Sequence, residues 1–300
     1  FNLFINIIPF LIVGYFIGRN NPKASENISV PLVKYGIPIS VMGLLLKVGI
    51  NFDLLKSALL AFCSISLLVI LINKISFFYK LLPNYTLQLG GLIGNTSFLG
   101  IPIAIALLPQ NTINFTIGFD LGTTLFAWII GPYLLQKRLD KYAPFNFKKL
   151  LLAIFKSPAS KGLIGVVLAY LFALEEYLGD FLWLPARIVI CIAIIIVGTR
   201  LGIITKGKKD LFKFNKEIKN AIITKLFLLP IIVFVTCIYF NFEKVEIAAL
   251  VLQGATPTAI STILMSEAYK KNQDIAAKTL FLTTITSILT IPALAFLLQR

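Results

Sequence analysis

Apolar residues in this chain come in long unbroken blocks divided by short polar or basic stretches. They neither alternate with period 2 nor mark one face with period 3.6, as half-buried strands and surface helices do. A bilayer core takes about 20 helical residues. On that measure the apolar blocks are 2–18, 31–50, 54–73, 86–108, 113–136, 160–178, 184–204, 219–240, 245–268 and 275–298, which predicts ten membrane-spanning helices. Connections on one side are short: Pro109-Gln110-Asn111 and Asn241-Phe242-Glu243 do little more than turn the chain. The other side carries longer basic loops around Lys137–Lys161 and Lys206–Lys219. The first block lacks a basic leader region and a small-residue cleavage site, so a retained span is expected there and not a signal peptide.

Composition agrees: 58% of residues are hydrophobic, 14% are charged and mean hydropathy is +0.89. A soluble domain carries about 25% charged residues. The net charge of +15 does not point to nucleic acid, because the basic residues sit between apolar blocks, where a topology signal sits. Of the 28 lysines and arginines, all but Lys47, Lys56, Arg187, Lys244 and Arg300 lie nearest the loops after the odd-numbered spans. The positive-inside rule makes that side cytoplasmic and puts both termini outside, in a multi-pass protein of the cell membrane. Cys63, Cys191 and Cys237 each fall within an apolar block, without metal or redox spacing. There is no histidine, which excludes imidazole metal sites, Ser-His triads and histidine proton relays. No metal or cofactor is expected beyond a coupling Na+ or H+.

An internal repeat is visible once the chain is shifted against itself. An offset of 160 residues lays Gly94 on Gly254, Thr96 on Thr256, Thr123-Thr124 on Thr283-Thr284 and Pro132 on Pro292; an offset of 153 lays Lys47-Val48-Gly49-Ile50 on Arg200-Leu201-Gly202-Ile203. Five spans per repeat is an odd number, so the second half enters the membrane inverted. The expected organisation is a first five-helix repeat (1–136), a basic cytoplasmic loop (137–159) and an inverted second repeat (160–300). Inverted repeats are a signature of secondary transporters, which open to either side around a site near the midplane.

Two spans carry Gly, Pro and polar residues at corresponding mid-span positions, which points to a transporter site. The fourth reads Gly94-Asn95-Thr96-Ser97-Phe98-Leu99-Gly100-Ile101-Pro102 and the ninth Gln253-Gly254-Ala255-Thr256-Pro257-Thr258-Ala259-Ile260-Ser261. Proline removes a donor and obstructs the carbonyl one turn back. Freed backbone groups are tolerated at membrane depth only where they face protein or water. Gly94, Gly100, Pro102, Gly254 and Pro257 are therefore expected to break the two helices, which would cross. Asn95, Thr96, Ser97, Gln253, Thr256, Thr258 and Ser261 form the candidate substrate-binding set, beside half-helix ends that offer amides to an anion and carbonyls to a cation. Pro9, Pro38, Pro132, Pro185, Pro230 and Pro292 are read as kinks or helix starts.

The stretch Gly94–Pro102 also resembles the GNTGFLGIP motif of the auxin efflux carrier family, which includes plant auxin exporters and prokaryotic permeases for malate, malonate and similar acids. Gly254–Ala259 resembles the family's second crossover, and Thr283–Pro292 its last span. The resemblance covers essentially the whole chain. It implies a sodium/bile-acid-symporter-like fold, with spans three to five and eight to ten as a transport domain and spans one, two, six and seven as a scaffold, often a homodimer. Ser97 stands where the family usually has Gly, and Thr123 where it often has Asn.

Asp120 lies well inside the fifth span, where a carboxylate is costly unless paired or solvated. Asp120, with Thr123, is the candidate proton or sodium site. Glu267 is expected near the cytoplasmic surface, and Lys47, Arg200 and Lys225 are expected to snorkel toward the interface. The function predicted is a secondary transporter of small organic anions, working by alternating access across the bilayer. The alternative is a sodium- or proton-coupled symporter of another anion, such as a bile-acid-like compound or bicarbonate. An embedded enzyme lacks a catalytic dyad in the spans, and a channel would show conductance without saturation.

Overall fold

A chain surrounded by hydrocarbon must satisfy its backbone within each segment, which leaves the helix as the local solution for these apolar blocks. The computed structural model describes residues 2–21, 27–28, 30–136, 155, 158–206, 215–268 and 272–299. Its helices are α1 (Asn2–Asn20), α2 (Ile37–Val48), α3 (Phe52–Lys74), α4 (Ser76–Leu81), α5 (Tyr85–Leu92), α6 (Ile101–Leu107), α7 (Ile113–Gln136), α8 (Pro158–Leu171), α9 (Glu175–Thr205), α10 (Lys216–Ile223), α11 (Leu229–Tyr239), α12 (Lys244–Gly254), α13 (Ile260–Ala268) and α14 (Gln273–Gln299). Among the described residues no strand forms. Among the described residues, four stretches, Phe52–Lys74, Glu175–Thr205, Lys216–Tyr239 and Gln273–Leu298, are long and apolar enough to cross a bilayer. The chain is an all-helical, multi-pass membrane protein. The expected basic loop 137–159 lies almost wholly outside the described residues, as does the side chain of Glu267.

Helix starts carry polar caps. The side chains of Asn84 and Asn215 accept from the amides of Leu87 and Ile218, each at 2.9 Å. Glu243 and Glu246 form a reciprocal capping box at the start of α12. These contacts satisfy amides that have no partner inside the helix.

Three interior prolines share one accommodation. Pro38, Pro102 and Pro230 each sit two residues beyond a wide turn with i→i+5 bonding, at Leu32–Gly36, Thr96–Gly100 and Thr224–Leu228. The wider turn absorbs the ring clash and the missing donor without ending the helix. Pro102 therefore does not break its span as the sequence suggested: the helix runs on from the wide turn into α6, and the interruption lies upstream.

Two span boundaries also differ from expectation. The sixth span ends at Leu171 and not at 178, and the seventh begins at Glu175 and not at 184. Glu175 and Glu176 suit the positive end of a helix dipole, and Ala173 turns the chain with φ 53°. Counting hydropathy keeps Glu175 and Glu176 in the sixth span and puts Asp180 in the connecting loop, whereas here α9 takes in all three and outruns the apolar core. Its 31 residues span about 46 Å at roughly 1.5 Å per residue. On this extension Asp180 pairs with Lys47 at 2.7 Å. Both side chains are exposed, so Lys47→Ala is expected to change stability by less than about 1 kcal/mol, read as a melting midpoint within about 3 °C of wild type.

Helix packing divides the chain into two sets. Helices α1, α2, α8 and α9 pack on one another, and α3, α5, α7 and α10–α14 pack on one another. The first set has a seam of small residues: Gly14 and Gly18 of α1 lie against the backbone of Ile195 and Thr199, while Gly198 and Gly202 of α9 lie against that of Leu11 and Tyr15. Small residues four apart allow this close backbone approach between helices in lipid. In the second set, Gly118 and Gly122 of α7 pack on the carbonyls of Leu54 and Ala58 of α3. Contacts between the sets run mainly through apolar side chains, among them Leu46 and Ala186 on one side and Leu54 and Ile117 on the other.

Candidate functional site at the crossing of two interrupted helices

The helix of the fourth span stops at Leu92 and resumes at Thr96; that of the ninth stops at Gly254 and resumes at Ile260. The two extended segments between these ends lie antiparallel, with a single bridge joining Gly94 and Thr258. The Asn95 amide donates to the Pro257 carbonyl at 2.7 Å, and the Ala259 amide donates to the Ile93 carbonyl at 3.0 Å. Each break thus satisfies part of the other's freed backbone, which is what a break within an apolar region requires.

Side chains bind the crossing further. Thr258 Oγ1 donates to the Gly90 carbonyl at 2.6 Å, and the Thr258 amide donates to Thr283 Oγ1 at 3.1 Å. Thr256 Oγ1 donates to the Gln253 carbonyl at 2.7 Å. Gly94 is tightly enclosed, since a Cβ there would overlap Thr256 Oγ1. Gly100 lies within the wide turn, outside the break, where its missing side chain makes room for the carboxamide of Gln253: a Cβ there would meet Cδ at 2.8 Å and Nε2 at 2.9 Å.

Asp120 of α7 is fully buried beside this crossing. Its Oδ1 accepts from Thr96 and, at 2.6 Å, from Ser97. Its Oδ2 has no partner among the described residues, and neither do Thr123 Oγ1 or the two carboxamide atoms of Gln253. Leaving a buried polar atom unpaired costs about 1–3 kcal/mol. Four such atoms beside the crossing mark a place where a solute, an ion or a proton would find partners. The structure therefore brings Asn95, Thr96, Ser97, Gln253, Thr256, Thr258, Asp120 and Thr123 into or beside one buried crossing, while Ser261 sits half-buried at the start of α13.

Sequence reasoning missed two participants. Thr283, seen as a repeat match and in the last-span resemblance but not as a site residue, receives the Thr258 amide. Lys225, expected to snorkel, is instead fully buried, and its Nζ donates to the Gly254 carbonyl at 2.6 Å. Its helix presents this position to the crossing, so the side chain has no route to the interface. The available signal was a lysine placed five residues before a mid-span proline, which locates it in the wide turn.

Beside the crossing, a small cleft separates α1 from α6 and α14. Its walls include Leu11, Leu99 and Ile103, with the hydroxyl residues Thr284 and Ser287.

Comparison with known proteins places the chain in a family. Residues 42–295 match the family model described as "Membrane transport protein". An uncharacterized transporter of Methanocaldococcus jannaschii is 24% identical over 212 residues, covering 68% of this chain and 67% of its own. The chain belongs to the membrane transport protein family, the auxin efflux carrier family that its Gly94–Pro102 motif resembles, and is a transporter and not an enzyme.

Proposed function

We propose that this protein carries small organic anions across the cell membrane by alternating access around the crossing of the fourth and ninth spans. The observation that carries this reading is the antiparallel pairing of two mid-span breaks beside four buried polar atoms without partners. A neighbouring cleft lined mostly by aliphatic side chains suits the carbon skeleton of an organic acid better than a bare inorganic anion. Asn95, Thr96, Ser97, Gln253, Thr256, Thr258 and Ser261 supply the polar contacts, and Asp120 with Thr123 binds the coupling ion. The transporter is built of ten spans as two inverted repeats, with basic loops in the cytoplasm and both termini outside. The close-packed set of α1, α2, α8 and α9 acts as the scaffold, through which two copies can associate, and the remaining helices move against it. The mostly apolar boundary between the two sets is suited to sliding, because it holds few directional bonds.

Uptake into proteoliposomes, screened across dicarboxylates, indole acids and amino acids with and without sodium, tests this directly. Saturable uptake of one acid class is expected. Asn95→Ala and Pro257→Ala are each expected to reduce it by at least about 30-fold, roughly 2 kcal/mol, with membrane insertion unchanged. Wild-type flux in both variants would sink the crossing as the site.

Uptake of inorganic anions alone would favour a different symporter. That second reading draws on Asp120 Oδ2 and Thr123 Oγ1 as free acceptors for a cation.

A further inference from the structure

Lys225 is fully buried, and among the described residues its ammonium has one acceptor, the Gly254 carbonyl at 2.6 Å. That carbonyl belongs to the end of α12. The last carbonyls of a helix have no donors within it and carry the negative end of its dipole. A helix that stops inside a membrane therefore creates a place for a cation.

At this crossing the chain places a lysine side chain at that pole. A Cβ on Gly94 would lie 3.1 Å from Lys225 Nζ and 3.3 Å from its Cε. The ammonium thus sits against both breaks at once: it bonds the carbonyl end of the ninth span and packs on the glycine of the fourth. The wide turn Thr224–Leu228 holds it there. No ion pair joins Lys225 to an acid among the described residues. An ammonium stripped of water needs compensation of several kcal/mol, and the terminus of α12 is the negative pole it touches.

The repeat shows that the fold does not demand this charge. An offset of 160 places Lys225 over Ile65, and an offset of 153 places it over Ile72; both isoleucines are buried hydrocarbon. The charge is thus an addition to one half alone.

We propose that Lys225 is a tethered cation that fills the position a mobile sodium ion would take at the carbonyl end of the broken ninth span. The crossing then needs no sodium there, and coupling is left to a proton on Asp120. The proposal rests on the transporter reading above, but its test does not require the substrate to be known.

The test uses the purified full chain in detergent, melted in sodium chloride and in N-methylglucamine chloride of equal ionic strength. Wild type and Lys225→Arg are expected to melt within about 1 °C in the two salts, since their cation position is already filled. Lys225→Ala opens that position. Sodium or methylammonium, small enough to enter, is expected to raise its midpoint by about 5 °C over N-methylglucamine. A sodium-specific rise in wild type would overturn the proposal, as would a folded Lys225→Ala protein indifferent to both small cations. Should Lys225→Ala not fold, Lys225→Met replaces it. Should neither fold, wild type decides: indifference to sodium upholds the tethered cation and sodium-specific stabilisation rejects it. Absence of uptake for every acid tested would defeat the transport reading while leaving these melting shifts in place. Sodium-stabilised wild type would do the opposite.

Discussion

Asp120→Asn is expected to lower uptake about 100-fold, roughly 2.7 kcal/mol, while the protein melts within about 3 °C of wild type. Asparagine has nearly the shape of aspartate and keeps the Oδ1 acceptor, so the hydroxyls of Thr96 and Ser97 retain their partner. The position of Oδ2, which has no partner among the described residues, becomes an amide nitrogen. Folding therefore loses little. What disappears is the negative charge and the capacity to take up and release a proton, and a buried carboxylate within a span is there for a functional reason by default. A purely structural Asp120 predicts the reverse pattern: near-normal uptake in the asparagine variant and a clear loss of stability in Asp120→Leu, which abandons both hydroxyls. Measuring uptake and melting on the same preparations separates the two outcomes. The variant is also expected to lose any dependence of uptake on an imposed pH gradient.

Gly198→Leu is expected to destabilise the scaffold set by at least about 3 kcal/mol, with a midpoint lowered by about 10 °C or no folded protein recovered. A Cβ at Gly198 would overlap the Leu11 carbonyl and lie 2.9 Å from the Tyr15 amide nitrogen. These are backbone atoms of a neighbouring helix and cannot rotate away, so α1 and α9 must separate along their length. Separation also lifts Gly14, Gly18 and Gly202 off the backbone they contact. In lipid no hydrophobic force compensates, because association there depends on close packing itself. Gly179→Ala offers the control: its nearest neighbour, the Leu46 carbonyl, would be 3.3 Å away, and a midpoint shift under about 3 °C is expected. Equal losses in the two variants would show that the glycine seam is not what holds the scaffold.

Residue order alone made much of this protein legible. Apolar runs located the helical stretches, because burying about 20 residues in hydrocarbon leaves the backbone no choice but helix. Gly94, Asn95 and Pro257, set among otherwise apolar residues, marked both interruptions. Asp120 stood out because a carboxylate in a span is rare and costly. Other features were read less well. Pro102 suggested a break, yet the wide turn Thr96–Gly100 lets its helix continue, since a single extra residue in a turn relieves the clash. The apolar runs put Glu175 and Glu176 in the sixth span and Asp180 in the loop after it, yet all three belong to α9, because a helix can project beyond the bilayer once its first turn is acidic.

Local chemistry could not reveal which helix faces meet. Lys225 and Lys47 look alike in sequence, each a lysine in an otherwise apolar stretch. One is sealed against the Gly254 carbonyl and the other is exposed beside Asp180. The difference lies in the rotation of each helix about its axis, set by packing against residues far away in the chain. The same holds for Gln253 against Gly100 and for Thr258 against Thr283. Sequence determined where helices form and where they are interrupted, because helix formation and its failure depend on neighbours along the chain. Tertiary structure alone decided that the two interruptions meet, and that a lysine and an aspartate are buried beside them, because those contacts depend on how distant helices orient and pack.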